Sequence, residues 1–289
     1  ALYLGTRGYC LELDLRAGSQ HSACESEYNI ERALGMACAV SAAAAFLLRA
    51  DSGFCSQHLI TQTLEQAARL GRQVDLLIKW NPRSAPVEAI AAQRCADTST
   101  AWMQLRVGKR ECLWSEALDG GELKAGCNRA LRRVYRLTER TIDKKGNALL
   151  LPEYVLEGWT TTLGPEVSAE QVIALYRDHA THEQFHAEFK TDMDLNRLPS
   201  GKFATNHLVC ALAAVAMNLL RIVGQHSLHE SDSPLRKAAL RRRIKTVMQE
   251  MMFKAARIIS HARRWVLGIS GSDSGFAMFE RAFGRMKAA

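Results

Sequence analysis

The chain has 289 residues, 47% of them hydrophobic, and a formal net charge of +8, values that suit a basic globular protein with a substantial buried core. Its eight cysteines form no C-x-x-C pair, which excludes a zinc ribbon and a disulfide framework and suits a reducing cytosol. The apolar runs at 37–48 and 208–220 fall short of the ~20 residues that a membrane span needs. We therefore expect no membrane association, and a buried helix at the second run.

The first 80 residues alternate between strand and helix patterns. Residues 9–19 and 44–54 are predicted strands that each run into a Gly-containing turn, and 74–80 is a third strand that Asn-Pro stops. Helical spacing is present at 25–39 and 59–71, and a glycine closes the second helix. The order strand, helix, strand, helix, strand predicts an α/β layer with a partly parallel sheet.

The pattern changes between residues 85 and 165. Short β-like segments such as AWMQLRV and YVLEGWTTTL predict a mostly β insertion there, and IDKKGNAL supplies a hairpin turn with Gly-Asn at its centre. From residue 169 the pattern is helical nearly to the end of the chain. A turn at LPSG (198–201) separates two long helices.

The C-terminal segment carries the positive charge. From residue 221 to the end, fourteen Lys and Arg stand against five Asp and Glu, so the rest of the chain is close to neutral. The clusters LRKAALRRRIK (235–245) and HARR (261–264) lie within helical patterns, with Arg257 between them. A solvated face is the ordinary interpretation of one such cluster. Two clusters favour a surface that contacts phosphates. The cluster at 235–245 would contribute four cations to this surface: Arg241, Arg242, Arg243 and Lys245.

Asp51 follows the apolar run AAFLLRA and therefore lies at the carboxyl end of a predicted strand. Open α/β sheets bind their ligands at this end, and Ser-Gly lets the chain turn away immediately. An aspartate that caps an ordinary turn is the alternative interpretation.

The segment YRDHATHEQFHAEFK (176–190) contains two overlapping patterns. At about 100° per residue, Tyr176, His179, Glu183 and Lys190 fall within a ~60° arc of one helix face. HEQFH also fits the H-E-x-x-H pattern of zinc peptidases, in which His182 and His186 would bind zinc and Glu183 would act as the base. No third ligand stands at the extended spacing of that pattern, although His207 is conceivable.

These residues carry a resemblance to bacterial insertion-sequence transposases with a DDE catalytic triad. One group of these enzymes has the signature Y-x2-R-x3-E-x6-K, which Tyr176, Glu183 and Lys190 match, whereas His179 stands at the Arg position. RADSGF resembles the motif of the second aspartate, which assigns that role to Asp51. The similarity continues through LNRLPSGKFATNHL and covers nearly the whole chain.

The resemblance implies a ribonuclease-H-like fold in four parts. Residues 1–84 would form the first part of the core, 85–165 a β-rich insertion, 166–197 the catalytic helix that completes the core, and 198–289 a helical basic C-terminal region. The β insertion helps to hold the transposon end in this family. Its Trp102, Trp114 and Trp159 are accordingly either core residues or platforms on which a displaced base stacks.

The resemblance also implies a reaction. Two divalent ions, Mg²⁺ or Mn²⁺, would be bound by three carboxylates, two of which are Asp51 and Glu183. Tyr176 and Lys190 would hold phosphates beside the scissile bond, and His179 would do so in a pH-dependent way. The partners would be double-stranded DNA and, in the full-length protein, a second copy of the chain. The location would be the bacterial cytoplasm, at the nucleoid.

The third carboxylate is missing from the expected place. In the family the first Asp lies on a strand that precedes the one equivalent to 9–17, so we expect this sequence to be an N-terminally truncated transposase with little or no strand-transfer activity. Glu12 and Asp14 are the nearest substitutes in the chain. Two alternatives remain, namely a DNA-binding remnant without catalytic activity and, more remotely, a zinc metallopeptidase.

Overall fold

The computed structural model describes residues 1–21, 23–41, 45–118, 129–178, 181–228, 241–271 and 275–288. The chain divides into two compact units. One unit is the continuous segment Ser19–Ala180, and the other combines Ala1–Gly18 with Thr181–Ala289. We call them the sheet unit and the helical unit.

A six-stranded mixed sheet forms the centre of the sheet unit, with strand order β3-β4-β8-β7-β6-β5. Its strands are β3 (Ala45–Ala50), β4 (Gln73–Trp80), β5 (Trp102–Arg106), β6 (Lys109–Leu118), β7 (Leu131–Ile142) and β8 (Ala148–Thr161). β3 and β4 are parallel, and the other neighbours in the sheet are antiparallel. The prediction of a mixed α/β fold with a partly parallel sheet is thus confirmed, and the predicted β segments extend the same sheet.

In the described part of the sheet unit the α-helices are α1 (Ser26–Val40), α2 (Gln57–Arg69), α3 (Val87–Ala96) and α4 (Ala169–Arg177). α2 is the crossover that two parallel strands require, and it packs on β4. The Ser56 hydroxyl caps α2 by accepting the N–H of Leu59 at 3.2 Å. α4 starts with a reciprocal capping box between Ser168 and Gln171. These local signals agree with the helical periodicity of the sequence.

One part of the core of the sheet unit lies where α4 covers the sheet. One buried cluster there consists of Leu77, Val134, Trp159, Val172 and Ile173. Trp159 is 2% exposed, so it is a core residue. The predicted turn in IDKKGNAL is confirmed, since residues 143–147 join β7 to β8 and the Asp143 carboxylate accepts three N–H bonds from that turn.

The described residues of the helical unit form hairpins and helices. Its elements are β1 (Leu2–Leu4), β2 (Tyr9–Glu12), α5 (Thr181–Ala187), α6 (Phe203–His226), α7 (Ile244–Val247), β9 (Ala256–His261), β10 (Arg264–Ile269) and α8 (Phe276–Ala288). A π-helical turn, Glu188–Asp192, follows α5, and another, Met248–Met252, follows α7. The buried core of the helical unit includes Phe185, Met217, Ile244 and Val247.

The predicted strand at 9–19 is shorter than expected and has a different partner. β2 ends at Glu12 and pairs with β1 in a two-stranded antiparallel sheet, because β1 has only three residues with which to pair. Asn218 of α6 holds this hairpin, since its side-chain amide and the backbone of Cys10 exchange two hydrogen bonds of 2.8 Å. β2 therefore belongs to the helical unit and is not part of the six-stranded sheet.

The prediction of a wholly helical C-terminal region is wrong at residues 256–269. β9 and β10 pair there as an antiparallel hairpin, and HARR (261–264) is its turn. Ala262 and Arg263 have φ values of 49° and 63°, the left-handed conformation that a two-residue hairpin turn uses. Isoleucine, valine and tryptophan favour strands over helices, which explains the difference. Residues 235–240 of the other basic cluster lie outside the described residues.

α6 is longer than the sequence run at 208–220 predicts. The helix has 24 residues, Phe203–His226, and an 18-residue window of it has a mean hydropathy of 1.8, so by length and composition it could cross a membrane. The apolar run at 208–220 is itself shorter than a span, but the helix extends beyond it at both ends, and 33% of its apolar window is buried. One such helix is weak evidence for a span, since core helices of water-soluble proteins pass the same test.

Candidate functional site

Asp51 lies immediately after β3, at the edge of the sheet where this strand ends. It caps the short 3-10 turn Ser52–Phe54, and its Oδ1 accepts the N–H of Ser52 at 2.6 Å. The residue is exposed, and its Oδ2 has no hydrogen-bond partner among the described residues. The carboxylate thus combines a fixed position with one oxygen that is open to a ligand.

The structure brings Tyr176 close to Asp51 within the sheet unit. Arg49, two residues before Asp51, donates from Nη1 to the carbonyl of Leu175 at 2.7 Å and so ties the end of β3 to the end of α4. Burial, followed by the negative charges of Asp51 and Glu157, raises the pKa of Tyr176 to about 12. The phenol therefore keeps its proton at neutral pH and can donate a hydrogen bond to an anionic ligand.

Three charged residues near Tyr176 were not identified from the sequence. Lys79 of β4 donates to Glu157 at 2.5 Å, its ammonium lies 4.6 Å from the Trp159 ring centroid, and Arg136 also donates to Glu157. Burial opposes ionisation of Glu157, but the two cations hold the pKa of this carboxyl below its usual value. A lysine near the end of the apolar strand VDLLIKW was the available signal.

Glu183 lies on α5 in the helical unit. Phe185, two residues later, is 2% exposed and anchors the helix in the core, whereas Glu183 is exposed. The carboxylate of Glu183 has no hydrogen bond or ion pair with any described residue. Both of its carboxylate oxygens are therefore open to a ligand.

Lys190 lies in the π-helical turn Glu188–Asp192. Its side chain is exposed and forms no ion pair within the described residues. The predicted common face requires a regular repeat of 3.6 residues per turn from Tyr176 through His179 and Glu183 to Lys190. This π turn interrupts that repeat. His179 lies outside the described residues, so the common face stays a prediction.

The predicted phosphate-contacting arginines are bound to acidic and polar groups inside the helical unit. Arg241 donates to Glu188 at 2.7 Å and to Gln184 at 2.6 Å, and Arg243 makes three bonds of 2.8, 2.9 and 3.2 Å with Asp192. Arg242 is 3% exposed and pairs with Glu250, so its guanidinium faces the interior.

Lys245 differs from these three arginines. Its ammonium is exposed and has no partner among the described residues, while its backbone N–H donates to Asp192 at 3.2 Å. Of the four cations predicted from this cluster, Lys245 therefore presents the most available charge.

Glu188 forms a buried ion-pair cluster that the sequence did not reveal. The side chains of Glu188 and Arg221 are 2% and 1% exposed, and Arg221 donates to both oxygens of Glu188. Glu188 also accepts the backbone N–H of Ile244 at 3.3 Å, at the start of α7. The cluster fixes the π turn that carries Lys190 against α6 and α7.

The two histidines of HEQFH pack around an aromatic ring. The ring centroids of His182 and His186 lie 4.7 and 5.6 Å from that of Tyr3, and burial raises the pKa of this tyrosine. Within the described ranges, no three His, Cys, Asp or Glu residues are grouped as metal ligands. His207, the conceivable third zinc ligand, instead lies 3.4 Å from a carboxylate oxygen of Asp14.

A family model described as transposase DDE domain group 1 matches residues 1–289 of the chain. A search of curated proteins found no match.

Proposed function

Because the chain belongs to the transposase DDE domain family, we propose that it cuts phosphodiester bonds at the ends of an insertion sequence and transfers the freed strand to new DNA. The exposed Asp51 carboxylate at the end of β3 is the observation that carries this proposal. An aspartate with an open oxygen at the carboxyl end of a strand is placed where α/β sheets bind ligands.

Asp51 and Glu183 fit the metal that this family uses. Both are exposed carboxylates with open oxygens, and hard oxygen ligands of this kind suit Mg²⁺ or Mn²⁺. Two such ions, when bound, supply activation of the attacking oxygen and stabilisation of the leaving oxygen of a phosphodiester. The protein's own part is to position the carboxylates and to orient the DNA phosphate beside them.

Tyr176 and Lys190 would bind the phosphates next to the scissile bond, as in the Tyr-Arg-Glu-Lys group of insertion-sequence transposases. Tyr176 keeps its proton as a hydrogen-bond donor, and Lys190 offers an ammonium without an internal partner among the described residues. His179 would stand in for the arginine of the signature and would be charged only at lower pH. Duplex DNA is the proposed substrate, and a second copy of the chain the proposed partner.

A catalytically inactive DNA-binding protein is the second candidate. The reaction needs a third carboxylate, and Asp14 is the nearest candidate in the first strand region. Arg16 already donates to Asp14 at 3.2 Å, and His207 lies 3.4 Å from it, so this carboxylate is engaged within the helical unit. The observation favours DNA binding without cleavage over recruitment of Asp14 to the metal site.

DNA cleavage with Mg²⁺ separates the two candidates. A labelled duplex with the element's terminal repeat is incubated with the wild-type chain, with Asp51→Ala and with Glu183→Ala. We expect both variants to lose cleavage while keeping DNA binding, and Glu153→Ala, which removes an exposed carboxylate without an internal partner among the described residues, to behave as wild type. Cleavage by either active-site variant would refute the assignment, and binding without cleavage by the wild type would favour the inactive protein.

A further inference from the structure

The β9–β10 hairpin carries its basic side chains on one face, where Ile259 and Val266 lie between them. In the antiparallel register Arg264 pairs with His261 and Gly268 pairs with Arg257, so these three basic side chains project from one face. The opposite face carries Ile258 and Trp265, together with other residues that are mainly apolar. Arg263 adds a further cation at the turn.

The arginines of this hairpin have no acidic partner among the residues that the structure describes. Arg257, Arg263 and Arg264 are exposed, and none of their guanidinium groups has a hydrogen bond or ion pair with another residue in the described ranges. The segment 251–271 contains no Asp or Glu. The other basic cluster differs in this respect, because Arg241 and Arg243 are already bound to carboxylates.

This contrast decides which cluster binds a polyanion more strongly. An arginine that is already paired must give up its carboxylate before it can bind a phosphate, whereas an unpaired arginine releases condensed counterions from DNA directly. A second copy of the chain is a poor occupant for the basic face, since two faces of the same charge repel each other.

We propose that the basic face of the β9–β10 hairpin, with Arg257, Arg263 and Arg264, binds the phosphate backbone of duplex DNA. The proposal rests on the proposed function and adds to it the surface that holds the DNA. A two-stranded ribbon fits the major groove of B-DNA, which is about 12 Å wide. Arg257 and His261 are four residues apart on β9, about 14 Å, so they reach separate phosphates.

The salt dependence of DNA binding tests the proposal. The full chain and the variant Arg257→Gln/Arg263→Asn/Arg264→Gln are titrated with a fluorescent 20-base-pair duplex of arbitrary sequence at several salt concentrations. Asparagine is used at the turn because it tolerates the left-handed backbone there. Loss of three phosphate contacts lowers the slope of log Kobs against log salt by about 2.7. Between 50 and 200 mM salt, the wild type should therefore lose ~40-fold more affinity than the variant.

Two matched variants test whether DNA binding depends on the position of these positive charges or only on the net charge of the chain. Arg257→Lys/Arg263→Lys/Arg264→Lys keeps the charge and should keep the slope. Three exposed cations outside the hairpin and outside the β insertion serve as the control for net charge, and their replacement should leave the slope near the wild-type value: Arg7→Gln, Arg69→Gln and Lys287→Gln.

The outcomes are distinct. An unchanged slope in the neutral hairpin variant, or an equal drop in the control variant, would overturn the proposal while leaving the proposed function intact. A neutral variant that keeps the slope but sediments as a smaller species would assign the hairpin to a protein interface and would also overturn it. A wild-type chain that binds no duplex would contradict the proposed function itself.

Discussion

Replacement of Glu188 with alanine is expected to destabilise the helical unit strongly. The variant leaves the Arg221 guanidinium, whose side chain is 1% exposed, buried without its carboxylate. Breaking one side of a buried ion pair costs about 3–5 kcal/mol, because an unpaired charge remains in a medium of low polarity. The loss includes the hydrogen bonds that Glu188 accepts from Arg241 and from the N–H of Ile244.

Urea unfolding followed by circular dichroism at 222 nm measures this effect, since the helical unit contains the long helix α6. With a slope of about 2 kcal/mol per M, the midpoint should fall by about 1.5–2.5 M. Gln184→Ala is the matched control, because it removes an exposed neutral partner of the same Arg241 and should cost at most about 1 kcal/mol. A Glu188→Ala midpoint within 0.5 M of wild type, about 1 kcal/mol, would refute the reasoning.

Three further predictions concern other parts of the chain. Burial raises the pKa of Tyr176 from 10 to about 12, so its contribution to the unfolding free energy is present below pH 10 and is lost as the pH rises through 12. In Tyr176→Phe the unfolding free energy should therefore change less with pH over that range than in the wild type. An unchanged pH profile would contradict this. Gly8 has a φ of +72°, and a Cβ there would lie 2.4 Å from Phe185, whereas Gly5 at +64° has open space. Gly8→Ala should therefore cost about 1–3 kcal/mol more than Gly5→Ala in urea unfolding, and equal costs would argue against the contact. Elemental analysis of the purified chain should show no stoichiometric zinc; one zinc per chain would support the peptidase alternative.

Local sequence signals were sufficient for the elements around Asp51. The apolar strand β3, the helix α2 with its closing glycine and the strand β4 are each specified by neighbouring residues, and all three are confirmed. The parallel pairing of the two strands then follows from the length of the crossover between them. Asp51 was placed correctly at the strand end because that position depends only on where the apolar run stops.

Contacts between distant residues were not predictable in the same way. Glu188 and Arg221 are 33 positions apart, and nothing in the local pattern of either residue indicates a buried pair. The basic cluster at 241–243 looked like a DNA-binding surface because the sequence shows charge but not the carboxylates that neutralise it. HARR was assigned to a helix because its arginines suit a charged helix face, although the residues that flank it favour strands.

Binding of Mn²⁺ tests the central claim most directly. The full chain is titrated with Mn²⁺ in the presence of duplex DNA, and free Mn²⁺ is measured by electron paramagnetic resonance for the wild type, Asp51→Asn and Glu183→Gln. Our account predicts that each substitution weakens binding by at least about tenfold, equal to about 1.4 kcal/mol, because each removes a carboxylate ligand from the ion. Equal Mn²⁺ affinity in all three proteins would show that these carboxylates do not form the metal site.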